Sequence, residues 1–377
     1  MDALNYLQEL VRFPSVSSTS NEAVSDRVSE YLERLGCEVE RLEYHDAEGV
    51  KKVSVVGKRG PGEGGLAYFA HTDVVPADDW HDTQTGPFQP VVKNGRCYAR
   101  GSCDMKGSLA CFLAALEQFP DATLAAPVYV TCTADEEVGF GGAADVVKRS
   151  RWYREMAETQ PRVIIGEPTL LEVVYAHKGV AGFRVISHGR SAHSSTRDGV
   201  NANLAMIPFL QEMKAIHDET ERESRWQNDE FDPPTVTWNI GINDHTHAVN
   251  ITPPQSVCTV YFRPMPGTDV DALLNRVRAC AESLGLEYQE KIVGNSVYTP
   301  PDSQFVTEML EQTGQPQAKT VAYGTDATMF TELKNLVVCG PGDIAQAHTN
   351  DEWIGLEQLE QGTALYASLI RKYCLGS

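Results

Sequence analysis

Seven residues whose side chains bind metals or carry protons stand at the edges of apolar runs: His71 and Asp73 in AHTDVVP, Asp104 in RGSCDMKG, Glu136 and Glu137 in TADEEVG, Glu167 in GEPT and His348 in GPGDIAQAHTNDEW. Imidazole and carboxylate are the ligands a borderline cation such as zinc takes, and two such ions held about 3.5–4 Å apart need a carboxylate able to bridge them. The adjacent acids Glu136 and Glu137 suggest a division of labour. A carboxylate bound to metal cannot also accept a proton, so its neighbour is left to move one. Each residue taken alone has an ordinary alternative: His71 as a hydrogen-bonded strand-end histidine, Asp73 as a turn residue, Asp104 as a helix N-cap, and the glutamates as solvated loop acids. Their recurrence in this order, each after an apolar strand or before a helix, favours a metal centre.

The elements that would gather these residues are legible around them. Residues 2–13 place Leu4, Leu7, Leu10 and Val11 on one helical face, and residues 21–35 do the same with Val24, Val28, Leu32 and Leu35, with Gly36 as the stop. The short runs GLAYFA, APVYVTCTA, RVIIG and LKNLVVCG end at HTD, DEE, EPT and PGD, and read as core strands of one α/β sheet. Ligands of such sheets lie beyond the carboxyl ends of the strands, where these acids and histidines cluster. Past Lys178 the texture changes. GFRVISHGR, a helix-like stretch to about Ser224, PTVTWNIGI, SVCTVYFR, DVDALLNRVRACAESLG and EYQEKIV follow one another as β-α-β-β-α-β, the split βαβ order of a small α+β domain. The expected organisation is therefore an α/β catalytic domain built from residues 1–177 and 294–377, interrupted by an inserted domain over 178–293. Pro208 falls inside the first helix of the insert and should start, kink or break it.

Composition narrows the classes of function. A net charge of −20 over 377 residues opposes nucleic acid and anionic membrane as partners, and 42% hydrophobic residues suffice for a sizeable core. The opening MDALNYLQELVRF carries acids and an arginine at helical spacing, and no apolar run approaches a membrane span, so a cytoplasmic protein is expected. Nine cysteines, an odd number without CxxC spacing and several within apolar runs, read as reduced buried thiols and not as a disulfide framework.

The motifs AHTDVVP, RGSCDMKG, TADEEVG, GEPT and GPGDIAQAHTNDEW, in this order and spacing, resemble the zinc aminoacylase and carboxypeptidase family, which includes acetylornithine deacetylase, succinyl-diaminopimelate desuccinylase and glutamate carboxypeptidase. The resemblance covers nearly the whole chain. It implies a zinc-peptidase-like catalytic domain with a mixed central sheet and an inserted α+β lid or dimerisation domain. It implies two Zn²⁺ ions, with Co²⁺ or Mn²⁺ as alternatives. His71 and Glu167 would bind one ion, Glu137 and His348 the other, and Asp104 would bridge them. Glu136 becomes the general base, and Asp73 would hydrogen-bond the far nitrogen of His71 and fix its tautomer. In the insert, His193 of GRSAHSS matches the histidine that stabilises the oxyanion, while Asn250 of HAVNITP and Arg263 of VYFRP match positions that bind the substrate backbone and carboxylate. An exposed loop histidine, a turn asparagine and a strand-edge ion-pair partner are the plain alternatives for these three. Gly324, Thr325 and Asp326 of GTDAT would line the pocket, or else form a turn and helix cap. His177 also matches a family pattern, whereas His81, His188, His245 and His247 acquire no role.

Because Glu136 is a glutamate, the resemblance implies a working hydrolase. An N-acyl amino acid amidohydrolase of the acetylornithine deacetylase kind leads. A desuccinylase, a dipeptidase or a carboxypeptidase of the same family is the alternative, and a non-catalytic metal-dependent binding protein stands further off. The expected partners are a small N-acyl amino acid and a second copy of the chain, paired through the lid domain.

Overall fold

A computed structural model of the chain describes residues 1–81, 86–120, 123–246 and 248–375. The chain divides into two compact units: Met1–Ala176, Thr299–Lys319 and Thr325–Ser377 form the first, and His177–Tyr298 with Thr320–Gly324 form the second. Against the expected insert of residues 178–293, the second unit extends five residues further and takes in a short later segment. That segment is tied in by the main chain, where the Lys178 N–H donates to the Val321 carbonyl at 3.3 Å.

The first unit is built on a mixed sheet whose path there runs Glu38–His45, Lys51–Arg59, Val128–Thr133, Leu66–His71, Arg162–Ile165, Leu336–Val338 and Val174–His177. The Val128–Thr133, Leu66–His71, Arg162–Ile165 and Leu336–Val338 strands are mutually parallel, and the two strands before them pair antiparallel. Parallel strands covered on both faces are continuous apolar runs, and every residue of Leu66–His71 and Val128–Thr133 is buried. Neighbouring residues of the Leu66–His71 strand point to opposite faces and find different partners. Tyr68 stacks on Phe112 of the Lys106–Leu116 helix and meets Tyr366 of the Leu356–Cys374 helix edge-on. Phe69 packs on Phe330, which also meets Tyr153 of the Arg151–Thr159 helix. Helices therefore cover both faces, and the Lys106–Leu116 helix is buried along its whole length. A separate three-stranded sheet, Trp353–Gly355, Arg96–Tyr98 and Val91–Lys93, lies outside the expected elements.

The second unit has a four-stranded antiparallel sheet ordered Thr237–Asn243, Gln255–Arg263, Val180–His188 and Glu287–Gly294, with the Ala202–Arg222 and Val270–Ser283 helices packed against it. Its chain order is β-α-β-β-α-β, as the alternation and periodicity imply. Pro208 neither starts nor ends the Ala202–Arg222 helix but sits within it. The Leu204 carbonyl, which loses its partner to the missing Pro208 N–H, belongs to an exposed residue that water can satisfy. All nine cysteines are free thiols, and no helix among the described residues is long and apolar enough to cross a membrane.

Candidate metal centre

The parallel strands deliver their polar residues to one end of the sheet. His71 is the last residue of Leu66–His71, residues 135–137 follow Val128–Thr133, and Glu167 follows Arg162–Ile165. Around them the distances fall into two groups sharing one member. His71 Nε2 lies 3.1 Å from Asp104 Oδ1 and 3.9 Å from Glu167 Oε1. His348 Nε2 lies 3.3 Å from Asp104 Oδ2 and 3.0 Å from Glu137 Oε2. The two oxygens of Asp104 thus face different histidines. Ligand atoms of His71, Asp104 and Glu137 all lie within 4.8 Å of one another. His71, Asp104, Glu137 and Glu167 have buried side chains, whereas the His348 side chain is 55% exposed.

The donor set fits cations in two respects. His71 Nδ1 lies 2.9 Å from the Asp73 main-chain carbonyl, which can only accept, so Nδ1 carries a proton and Nε2 is the nitrogen directed at the oxygens of Asp104 and Glu167. Despite burial, the surrounding acids hold a second proton on the ring, raising its pKa well above the ordinary value, and a cation bound at Nε2 would take that proton's place. Secondly, acids outnumber bases in the cluster. Burial, with the charges of Glu167, Glu137 and Asp326, holds the Glu136 carboxyl well above its ordinary range. Burial and the Asp104 charge do the same to Glu167, and burial raises Glu137. Asp104 moves the other way despite its burial, because His348 and His71 both bond its oxygens. Those bonds push His348 up to about 10. One oxygen of Glu137, Oε1, is buried without a hydrogen-bond partner. Such an excess of buried carboxylate is what a divalent cation offsets.

Asp73 does something other than expected. Its carboxylate stands 3.6 Å from His71 Nδ1, beyond a hydrogen bond, and the imidazole is held by the Asp73 main chain instead. The carboxylate turns to the next loop, accepting the Glu136 N–H at 3.2 Å and the Ser17 hydroxyl at 2.7 Å. A strand that ends at His71 brings the Asp73 carbonyl within reach of the ring, which leaves the side chain free to fix the turn that carries both glutamates.

Two neighbours escaped the sequence analysis, Asp135 and Lys52. Asp135, at a left-handed φ of 59°, is paired with buried Lys52 at 2.7 Å and accepts from Tyr44 at 2.6 Å, so the turn is held from its other side as well. Asp326, buried and bonded by the Thr133 hydroxyl at the end of its strand, has its carboxyl pushed up to about 7 by burial. Asp135 and Asp326 sit inside the quoted motifs TADEEVG and GTDAT, but nothing in KKVSVVG singles out Lys52. Thr325 caps the short turn Asp326–Thr328 in the first unit, while Gly324 belongs to the second.

The structure places the remaining candidates, His193, Asn250 and Arg263, in the second unit. His193 is exposed, and its Nδ1 accepts the Ser195 N–H at 3.2 Å, which leaves the proton on Nε2. A bridge joins His193 to Ile251, and the Ser194 N–H donates to the Asn250 carbonyl at 2.9 Å, so His193 and Asn250 are neighbours through the main chain. Arg263 ends the Gln255–Arg263 strand with its guanidinium 4.9 Å from the Tyr261 ring centre. His188 pairs with Glu287, and His247 lies outside the described residues.

Comparison with known proteins gives this arrangement a lineage. Peptidase family M20/M25/M40 matches residues 67–372. An acetylornithine deacetylase of Myxococcus xanthus is 35% identical over 98% of this chain and 97% of its own. Among solved structures, a family M20 metallo-carboxypeptidase of Sulfolobus solfataricus superposes with a TM-score of 0.78 at 19% identity over 99% of each chain. A dinuclear metal-binding family M20 peptidase of Bacillus subtilis does so at 0.65 and 16%, over 98% of this chain and 96% of its own. The chain belongs to peptidase family M20/M25/M40.

Proposed function

We propose that the protein hydrolyses the amide bond of an N-acetylated amino acid with an ornithine-like or citrulline-like side chain. Metal-dependent amide hydrolysis comes with the family. The substrate reading rests on the near full-length likeness to acetylornithine deacetylases and on the guanidinium of Arg263, suited to a product carboxylate. The observation that carries the metal reading is the division of the Asp104 oxygens between His71 and His348.

Two zinc ions, replaceable by cobalt or manganese, would be held by His71 with Glu167 and by His348 with Glu137, and shared by Asp104. When bound, they supply Lewis acidity and lower the pKa of water. The chain's own groups do the rest. Glu136 takes a proton from the attacking water as the new C–O bond forms and passes it to the leaving nitrogen as the C–N bond breaks. Asp73 holds the Glu136 main chain in place for this transfer. His193, protonated on Nε2, donates to the oxyanion, Asn250 and Arg263 hold the substrate backbone and carboxylate, and Gly324 and Thr325 border it. A homodimer through the second unit is in keeping with exposed Leu204, Ile207 and Ile242 on its first helix and edge strand. The acidic surface and nine free thiols support a cytoplasmic enzyme without nucleic-acid or membrane partners.

The test is kcat/KM for N-acetylornithine, N-acetylcitrulline, N-succinyl-diaminopimelate and a dipeptide. One of the acetyl compounds should lead. Preference for the succinyl compound or the dipeptide by about tenfold, roughly 1.4 kcal/mol of transition-state discrimination, would move the assignment elsewhere in the family.

A further inference from the structure

Glu352 lies four residues beyond His348 in the same motif, and its carboxylate is almost wholly buried. Four donors converge on it. Oε1 accepts the main-chain N–H of Cys103 at 2.8 Å and of Asp104 at 3.0 Å. Oε2 accepts the Gly101 N–H at 2.9 Å and Arg100 Nη1 at 2.8 Å. The backbone continues the connection, since the Glu352 carbonyl accepts the Ala99 N–H at 3.2 Å and Trp353–Gly355 pairs with Arg96–Tyr98. Residues 96–104, which carry Asp104, and residues 352–355, which follow closely on His348, are therefore laced together.

A buried carboxylate with only Arg100 for company would be an ordinary structural ion pair. The three main-chain N–H bonds go further: they fix the backbone from Gly101 to Asp104, and so the direction in which Asp104 presents its two oxygens. We propose that Glu352 is a positioning residue for the metal centre, acting through Asp104 and setting the affinity for divalent cations by locking the Asp104 loop to the segment that bears His348. This rests on the metal reading above.

Glu352→Gln is the sharpest probe because it keeps the size and changes the pattern. Whichever oxygen the amide nitrogen replaces, an N–H then faces N–H donors. Arg100→Met removes the ion pair but leaves the three main-chain N–H donors facing the carboxylate. Zn²⁺ is titrated calorimetrically into the chelator-treated full chain, with the thermal midpoint of each metal-free protein measured alongside. Glu352→Gln should weaken Zn²⁺ binding by about 10-fold to 100-fold, while Arg100→Met, although less stable, should stay within about threefold of the parent. Glu352→Asp, whose shorter carboxylate keeps the charge, should fall between them, and it serves as the test if Glu352→Gln does not fold. Affinity in Glu352→Gln within threefold of the parent, or affinity in both variants falling only in step with stability, would overturn the inference and leave the metal centre standing. A parent that takes up no Zn²⁺ would overturn both.

Discussion

Glu136 and Glu137 are consecutive residues on one turn, yet their surroundings assign them different work. Glu137 Oε2 sits 3.0 Å from His348 and shares that histidine with Asp104, which suits it to the ligand role proposed above. Glu136 makes no such bond to either histidine and feels the cluster through burial and charge alone, which leaves its carboxylate for proton transfer. Glu136→Gln should therefore retain both metals while losing several orders of magnitude in turnover, and Glu137→Gln should lose the metal shared with His348. Elemental analysis beside kinetics decides it: metal loss in Glu136→Gln, or near-normal turnover, contradicts this division. The same reasoning reaches His193, whose Nδ1 is occupied by the Ser195 N–H. An imidazole held as the Nε2–H tautomer is ready to donate, so His193→Ala should lower turnover by about 100-fold to 1000-fold with little change in metal content. Turnover within a few fold of the parent would make it an ordinary loop histidine.

At the scale of elements, the arrangement depends on how closely the loops approach the helices behind them. A Cβ on Gly107, near the start of the Lys106–Leu116 helix, would lie 2.3 Å from the Ser102 carbonyl oxygen and 2.8 Å from Ile354 Cδ1, so the loop leading to Asp104 could not stay where it is. Gly107→Ala should cost about 1–3 kcal/mol in urea unfolding. Gly355→Ala, whose Cβ would meet nothing nearer than 3.9 Å, should cost far less, and equal stability of the two variants would show that the approach is not tight. Strands buried on both faces announce themselves as unbroken apolar runs, which is why GLAYFA, APVYVTCTA and RVIIG could be read directly with the chemistry at their ends. Glu38–His45 could not be read in this way, because EVERLEYH on a sheet edge alternates charges with few apolar residues. Nor could Trp353–Gly355 and Arg96–Tyr98, three-residue strands too short for any period to show. The candidate ligands were legible because histidine and acids close or follow one apolar run after another in the sequence. Lys52 and the new bonding of Asp73 were not, since both follow from which loop lies beside which.

For the molecule as a whole, the acidic excess bears on stability as well as on partners. The net charge of −20 is a surface property that ordinary salt screens beyond roughly 10 Å. The carboxylates of Asp104, Glu136, Glu137 and Glu167 are another matter, gathered around two histidines where salt screens poorly. A divalent cation that binds this cluster only in the folded chain stabilises it by mass action, by about 2.7 kcal/mol at a hundred times its dissociation constant. For the first unit, about 250 residues, that corresponds to a rise of roughly 5 °C in its thermal midpoint. The expected series is a chelator-treated protein melting lowest, Zn²⁺ raising the midpoint progressively with concentration, and KCl at 0.2 M raising it far less, because K⁺ screens the surface without entering the cluster. An Asp104→Asn variant should melt at nearly the same temperature with and without Zn²⁺, having lost the carboxylate that faces both histidines. If KCl reproduced the Zn²⁺ shift, or if Asp104→Asn kept it, the stabilisation would belong to the acidic surface at large and not to a metal centre built around Asp104.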